Sequence, residues 1–136
     1  MVALNPVDPA KRCPCGTGLT FGECCGKYHA GALAPTAETL MRSRFTAFVT
    51  RDAEYLLATW HPSARPAELN LAAADAPDIR FYRLDILATE AGGPLDGRGV
   101  VEFKAFYKGD ATGSQRERST FVKEGGRWFY ASGLVE

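Results

Sequence analysis

RFYRLDILATE at residues 80–90 and GVVEFKAFYK at residues 99–108 decide the fold. In the first, Tyr82, Leu84, Ile86 and Ala88 alternate with more polar neighbours; in the second, Val101, Phe103, Ala105 and Tyr107 do the same. A period of two places one set of side chains on a single face, so both segments read as half-buried strands. GGPLDGRG (92–99) supplies a turn between them, GDATGS (109–114) a second, and Gly125-Gly126 a tight hairpin between QRERSTFVKE and RWFYASG. The expectation is a four-stranded antiparallel meander.

Upstream the period changes. APTAETLMRSRFTAFVT (34–50) places Met41, Phe45, Phe48 and Val49 on one helical face, with Thr36 as N-cap. Asp52 caps a second helix in DAEYLLATW, which ends before Pro62 because the residue preceding proline disfavours the helical region. SARPAELNLAAADAPD (63–78) has no clear periodicity and reads as a loop with a short helical turn. Helices first and strands afterwards indicate an α+β fold, with the helices packed on one face of a curved sheet.

Ahead of this body, residues 1–34 are rich in Pro, Gly and Cys and poor in aliphatic residues. A unit of that kind is too small to fold on its own apolar burial and needs a staple. The expected division is therefore a knuckle over 1–34 and an α+β domain over 35–136. All four cysteines fall within CPCGTGLTFGECC, spaced C-x-C, eight residues, then C-C. Two close thiol pairs on a Gly-rich loop suit one tetrahedral Zn²⁺, and Cys13, Cys15, Cys24 and Cys25 complete a closed structural site with no open position for catalysis. Lys11, Arg12 and Lys27 are placed to offset the net negative charge of four thiolates. His29 is a competing fourth ligand in place of Cys25, and iron accepts the same donors. Disulfides are the main rival reading, but neighbouring Cys24 and Cys25 would strain such a bond.

The chain has 16 Lys plus Arg and 16 Asp plus Glu, so it lacks the net field of a dedicated nucleic-acid or membrane-surface binder. Its N-terminus has no signal-peptide pattern and no stretch is apolar enough to span a bilayer. A cytoplasmic protein is expected, a compartment in which thiols favour metals over disulfides. No nucleotide-binding glycine motif is present.

CPCGTGLTFGECCGKYH (13–29) resembles the SEC-C motif, a zinc knuckle best known from the C-terminal tail of the SecA translocation ATPase. LMRSRFTAFVTRDAEYLLATWHPSARP (40–66), followed by VEFKAFY, RERSTF and RWFYASG, resembles the YchJ family of bacterial proteins. The resemblance implies the cone-shaped α+β fold of nuclear-transport-factor-2-like, SnoaL-like and cystatin-like proteins. By analogy with SecA, it also implies a protein partner for the knuckle. It supplies no activity.

A curved sheet under helices encloses a concave pocket, the default place for a small ligand. Arg42, Arg44, Trp60, His61, Glu117, Ser119, Trp128 and Tyr130 are the candidates near it, with Arg44, Trp60, His61, Glu117 and Trp128 the leading set. Ordinary structural roles compete for each: a helix-end contact for His61, ion pairs with Glu117 or Glu102 for the arginines, and core packing for Trp128 and Tyr130. The leading reading is a zinc-binding interaction or ligand-binding module, without catalytic residues. One alternative is a small-molecule isomerase, dehydratase or hydrolase using His61, Glu117 and an Arg. Another is a thiol-based redox or soft-metal sensor.

Overall fold

The computed structural model describes residues 4–69 and 79–135. Its elements run α1 (Cys25–His29), α2 (Ala37–Thr50), α3 (Ala53–Ala58), β1 (Ile79–Ala91), β2 (Arg98–Gly109), β3 (Gly113–Glu124) and β4 (Arg127–Val135). The strands form one antiparallel sheet in the order β1-β2-β3-β4, as the turn spacing predicts. Gly125 and Gly126 both have positive φ and join Glu124 to its partner Arg127 in a two-residue hairpin, whose geometry calls for φ > 0 at both positions.

Both expected caps are in place. The Thr36 side chain accepts from the Thr39 N–H to open α2, and Asp52 accepts from the Tyr55 N–H to open α3. The α2 helix lies on the sheet, burying Leu40, Met41 and Phe45 with Val101, Phe103, Phe121 and Trp128. At its N-terminus it meets the β1–β2 turn closely: the Ala37 N–H donates to the Gly92 carbonyl at 2.9 Å. A Cβ on Gly99 would stand 2.5 Å from the Gly92 Cα and 3.0 Å from the Ala37 Cβ, so this contact requires glycine. Residues 63–69 form turns and bends; the rest of the expected 63–78 loop lies outside the described residues.

The phase of β1 needs correction. Val101, Phe103 and Ala105 of β2 face the core as expected, but Tyr82 is 47% exposed and Ala88 is exposed as well. Register shifts fall between Phe81 and Arg83 and again between Ile86 and Ala88. Each inserts one unpaired residue, Tyr82 and then Leu87, so strict alternation fails twice and Phe81 takes the inward position expected for Tyr82. A third shift, on β4 beyond Tyr130, adds to the curvature. Bulges bend and twist the strands that carry them, which lets the sheet wrap α2 and leave a hollow beneath it.

Candidate functional site

The four cysteines come together through two local devices. Cys13 and Cys15 sit on a turn held by Cys13 N–H to the Leu19 carbonyl and Phe21 N–H to the Lys11 carbonyl, both 2.8 Å. Gly16 and Gly18 take positive φ so that the chain can reverse there. Cys24 precedes α1 and Cys25 opens it; Gly26 packs so tightly on Phe21 that a Cβ would lie 2.7 Å from the Phe21 carbonyl oxygen.

All four are free thiols and all are buried, and their Sγ atoms lie within 4.8 Å of one another. Cys15 to Cys24 is 3.6 Å and Cys24 to Cys25 is 4.0 Å. Four sulfurs held at ~2.3 Å from one tetrahedral ion stand about 3.8 Å apart, so the spacing fits such an ion. The electrostatics agree. Hydrogen bonds from Cys13 and Cys25 drive the Cys15 sulfur toward the thiolate, contacts with Cys13 and then Cys15 push the Cys25 thiol up, and burial pushes Cys24 up to about 11. Without a cation, these sulfurs can carry little charge between them; a dication would let all four be thiolates. The SEC-C spacing and this cluster suggest metal binding.

Two supporting side chains were not foreseen. Thr17 Oγ1 lies 3.2 Å from Cys24 Sγ, and Thr46 Oγ1 of α2 lies 3.8 Å from Cys13 Sγ. Thr17 is inside the knuckle loop and could have been flagged; Thr46 is brought in by tertiary packing alone. Lys11, Arg12 and Lys27 are exposed, and Lys27 stacks on the Tyr28 ring. The cation that meets the knuckle is instead Arg42, which donates to the Cys15 carbonyl at 2.8 Å and pairs with Glu38. His29 lies outside the cluster. Its Nε2 donates to the Ser43 carbonyl at 2.8 Å, its ring packs on Phe21 and Tyr55, and burial holds its pKa below the ordinary value.

A second feature lies between α2 and the sheet: a cavity of about 300 Å³ lined by the apolar Phe45, Phe81, Phe103 and Ala105 together with Arg44, Trp60, Gln115, Glu117 and Tyr130. Arg44 is only 3% exposed. Its Nη1 donates to the Leu56 carbonyl at 2.8 Å and to Thr59 Oγ1 at 2.7 Å, and the Tyr130 and Trp60 rings cover its plane, 4.6 and 5.3 Å away. Burial lowers its pKa to about 10 despite the nearby Tyr130, Tyr55 and Glu117. Glu117 accepts hydrogen bonds from Ser119 and from the Tyr130 hydroxyl.

Arg44, Trp60 and Glu117 are thus brought together, whereas His61 and Trp128 are not part of the group. The His61 N–H is bound by the Tyr130 carbonyl at 2.7 Å, and its ring lies against Phe129 and Glu124, with Nε2 2.9 Å from the carboxylate. Trp128, 1% exposed, donates from Nε1 to the Pro35 carbonyl and borders a different hollow beside α1 and α3. Glu102, foreseen as a partner for Arg42 or Arg44, pairs with Arg116 and Arg118. Among the described residues no helix is long and apolar enough to cross a membrane.

Comparison with known proteins agrees with this architecture. A family described as "YchJ, middle NTF2-like domain" matches residues 36–133, and the SEC-C motif matches residues 11–27. A UPF0225 protein of Corynebacterium glutamicum is 59% identical over 127 residues, covering 93% of this chain and 98% of its own. One from Streptomyces coelicolor is 49% identical over 126 residues, 92% of this chain and 96% of its own. The solution structure of a SEC-C motif containing protein from Rhodopseudomonas palustris superposes with a TM-score of 0.75 at 34% identity, over 90% of this chain and 96% of that one. A crystal structure of a SEC-C motif containing protein from Psychrobacter arcticus gives 0.70 at 29% identity, over 100% of this chain and 86% of that one. With its cysteine cluster set ahead of a helix-covered four-stranded sheet, the chain belongs to the YchJ (UPF0225) family of SEC-C motif proteins with an NTF2-like domain.

Proposed function

We propose that this protein holds one Zn²⁺ through Cys13, Cys15, Cys24 and Cys25, and that the metal serves the fold of a cytoplasmic interaction and ligand-binding module. The observation that carries this reading is the approach of four buried sulfurs to within 4.8 Å of one another. Four protein ligands close the coordination sphere, leaving no position for the bound water that a catalytic zinc needs. Zinc is favoured over iron because a redox-inert ion with no geometric preference of its own suits a site buried against the core. Free thiols in such a cluster require a reducing compartment, which supports the cytoplasm.

The interaction role is supported by the knuckle's surface, where Lys11, Arg12 and Lys27 are exposed and Leu19, 50% exposed, borders one hollow with Lys27. Such a surface suits an acidic, partly apolar protein partner. The enzyme alternative loses support, because His61 is engaged with Glu124 while Glu117 is engaged with Ser119 and Tyr130.

Elemental analysis of the purified protein tests the metal. About one zinc per chain is expected, falling to a trace in the Cys24→Ser, Cys25→Ser double variant. Iron in place of zinc, or an equal metal content in the variant, would overturn the assignment.

A further inference from the structure

The geometry points to the cavity under α2 as a binding site for a small organic acid, with the ligand's carboxylate on Arg44 and an apolar or aromatic body among Phe45, Phe81 and Phe103. This inference goes beyond the metal site and does not depend on it. Its starting point is an imbalance. A guanidinium removed from water needs a compensating anion, and among the described residues no carboxylate lies within ion-pair distance of Arg44. Its hydrogen-bond partners are neutral oxygens, Leu56 O and Thr59 Oγ1, both on Nη1.

The remaining donors are held in a fixed direction. The Tyr130 and Trp60 rings pack against the guanidinium carbon, and Nη1 is tied to Leu56 O and Thr59 Oγ1. Among the described hydrogen bonds Nε and Nη2 have no protein acceptor, and Arg44 borders the cavity. A planar edge with two parallel N–H groups matches the two oxygens of a carboxylate, and a rigid fork loses little entropy in binding one.

Glu117 shapes the rest of the ligand. Its carboxylate is retained by Ser119 and Tyr130, and Gly133 makes room for it, since a Cβ there would lie 2.4 Å from Oε2. It can still accept, so a ligand carrying a hydroxyl or amino donor near its carboxylate satisfies both Glu117 and Arg44. The rest of the lining is mostly aromatic, with Gln115 beside Ala105 as a further polar side chain. At about 300 Å³ the space is at the lower end of small-molecule pockets, which suits one ring with a short acid side chain.

The test is titration of the zinc-loaded, full-length protein with 3-phenyllactate, followed by calorimetry and by amide chemical shifts. Its uncharged amide and the cation phenethylamine serve as controls. The expected result is saturable binding of the acid, with the shifts centred on β2 and β3 around Ala105 and Glu117. The amide should bind about tenfold or more weakly, the effect of losing a charge-assisted pair in a desolvated site, and the amine should not bind measurably. The Ala105→Leu variant fills the apolar part without touching Arg44 and should abolish binding while keeping the wild-type fold by circular dichroism. No binding of the acid at millimolar concentration, equal or tighter binding of the amide or the amine, shifts centred elsewhere, or unchanged binding in a folded Ala105→Leu protein would each overturn the proposal.

Discussion

The knuckle and the sheet are both ordered, but different forces hold them. In the sheet, ladder hydrogen bonds and apolar side chains act together, and Phe121 and Trp128 are almost wholly buried. In the knuckle the buried side chains are the four cysteines and His29, on a loop with a single five-residue helix. Few aliphatic side chains assist them, so its order must come from the cluster and from contact with α2. The sulfurs also belong to the same buried core as Leu40, Met41 and Phe45. The knuckle is therefore joined to the body through its centre, and the two regions should lose structure together.

Removing the metal should have the largest effect. Chelation, or the Cys24→Ser, Cys25→Ser double variant, should lower stability by upward of about 5 kcal/mol, because binding energy at a structural zinc is folding energy. Thermal unfolding followed at the knuckle amides around Cys13 and Cys24 and at the sheet amides should show one transition moving down as a unit. An unchanged sheet transition beside a separately melted knuckle would show the coupling to be wrong.

Within the sheet, Trp128→Ala should cost about 3–5 kcal/mol in denaturant unfolding, since it leaves a large cavity and strands the Pro35 carbonyl. Metal content should be unaffected while the variant remains folded, since Trp128 holds no sulfur ligand. Gly99→Ala should cost about 2 kcal/mol. Its Cβ would meet the Gly92 backbone rather than a movable side chain, so repacking gives little relief.

The smallest effect lies at the junction, where His29 joins α1 to α2 through the Ser43 carbonyl. Burial depresses its folded pKa first of all, opposed by that carbonyl and by Asp52. Below the unfolded value of about 6.5 the unfolded chain binds the proton more readily, so stability is full above that pH and falls as the pH drops through it. In His29→Gln, which keeps a donor for Ser43 but does not titrate, the decline between about pH 7.5 and about pH 5.5 should be shallower by under about 1 kcal/mol. Equal slopes would show that this junction does not sense protonation.

Much of this was legible in the residues. The helix starts were readable because capping is local: Thr36 and Asp52 precede the amides they accept from by three residues. The cysteine group was readable because its members are close in sequence and glycines mark the turns between them. The pocket was readable only in part. Arg44, Trp60 and Glu117 come together, but nothing within α3 reveals that the His61 amide is taken by Tyr130, a pairing that commits the following ring to Glu124.

Interactions a few residues long thus made legible the helices and strands from α2 onward, the turns between them and the four thiols that meet, whereas α1 (Cys25–His29) was hidden inside a segment that reads as loop. Tertiary structure decided the face that Tyr82 and Leu87 present, the arrival of Thr46 and Arg42 at the sulfurs, and the burial of Arg44 beside a hollow. Each of these depends on how a bulged sheet curves around α2, and the energy that sets that curvature comes from contacts between residues far apart in the chain.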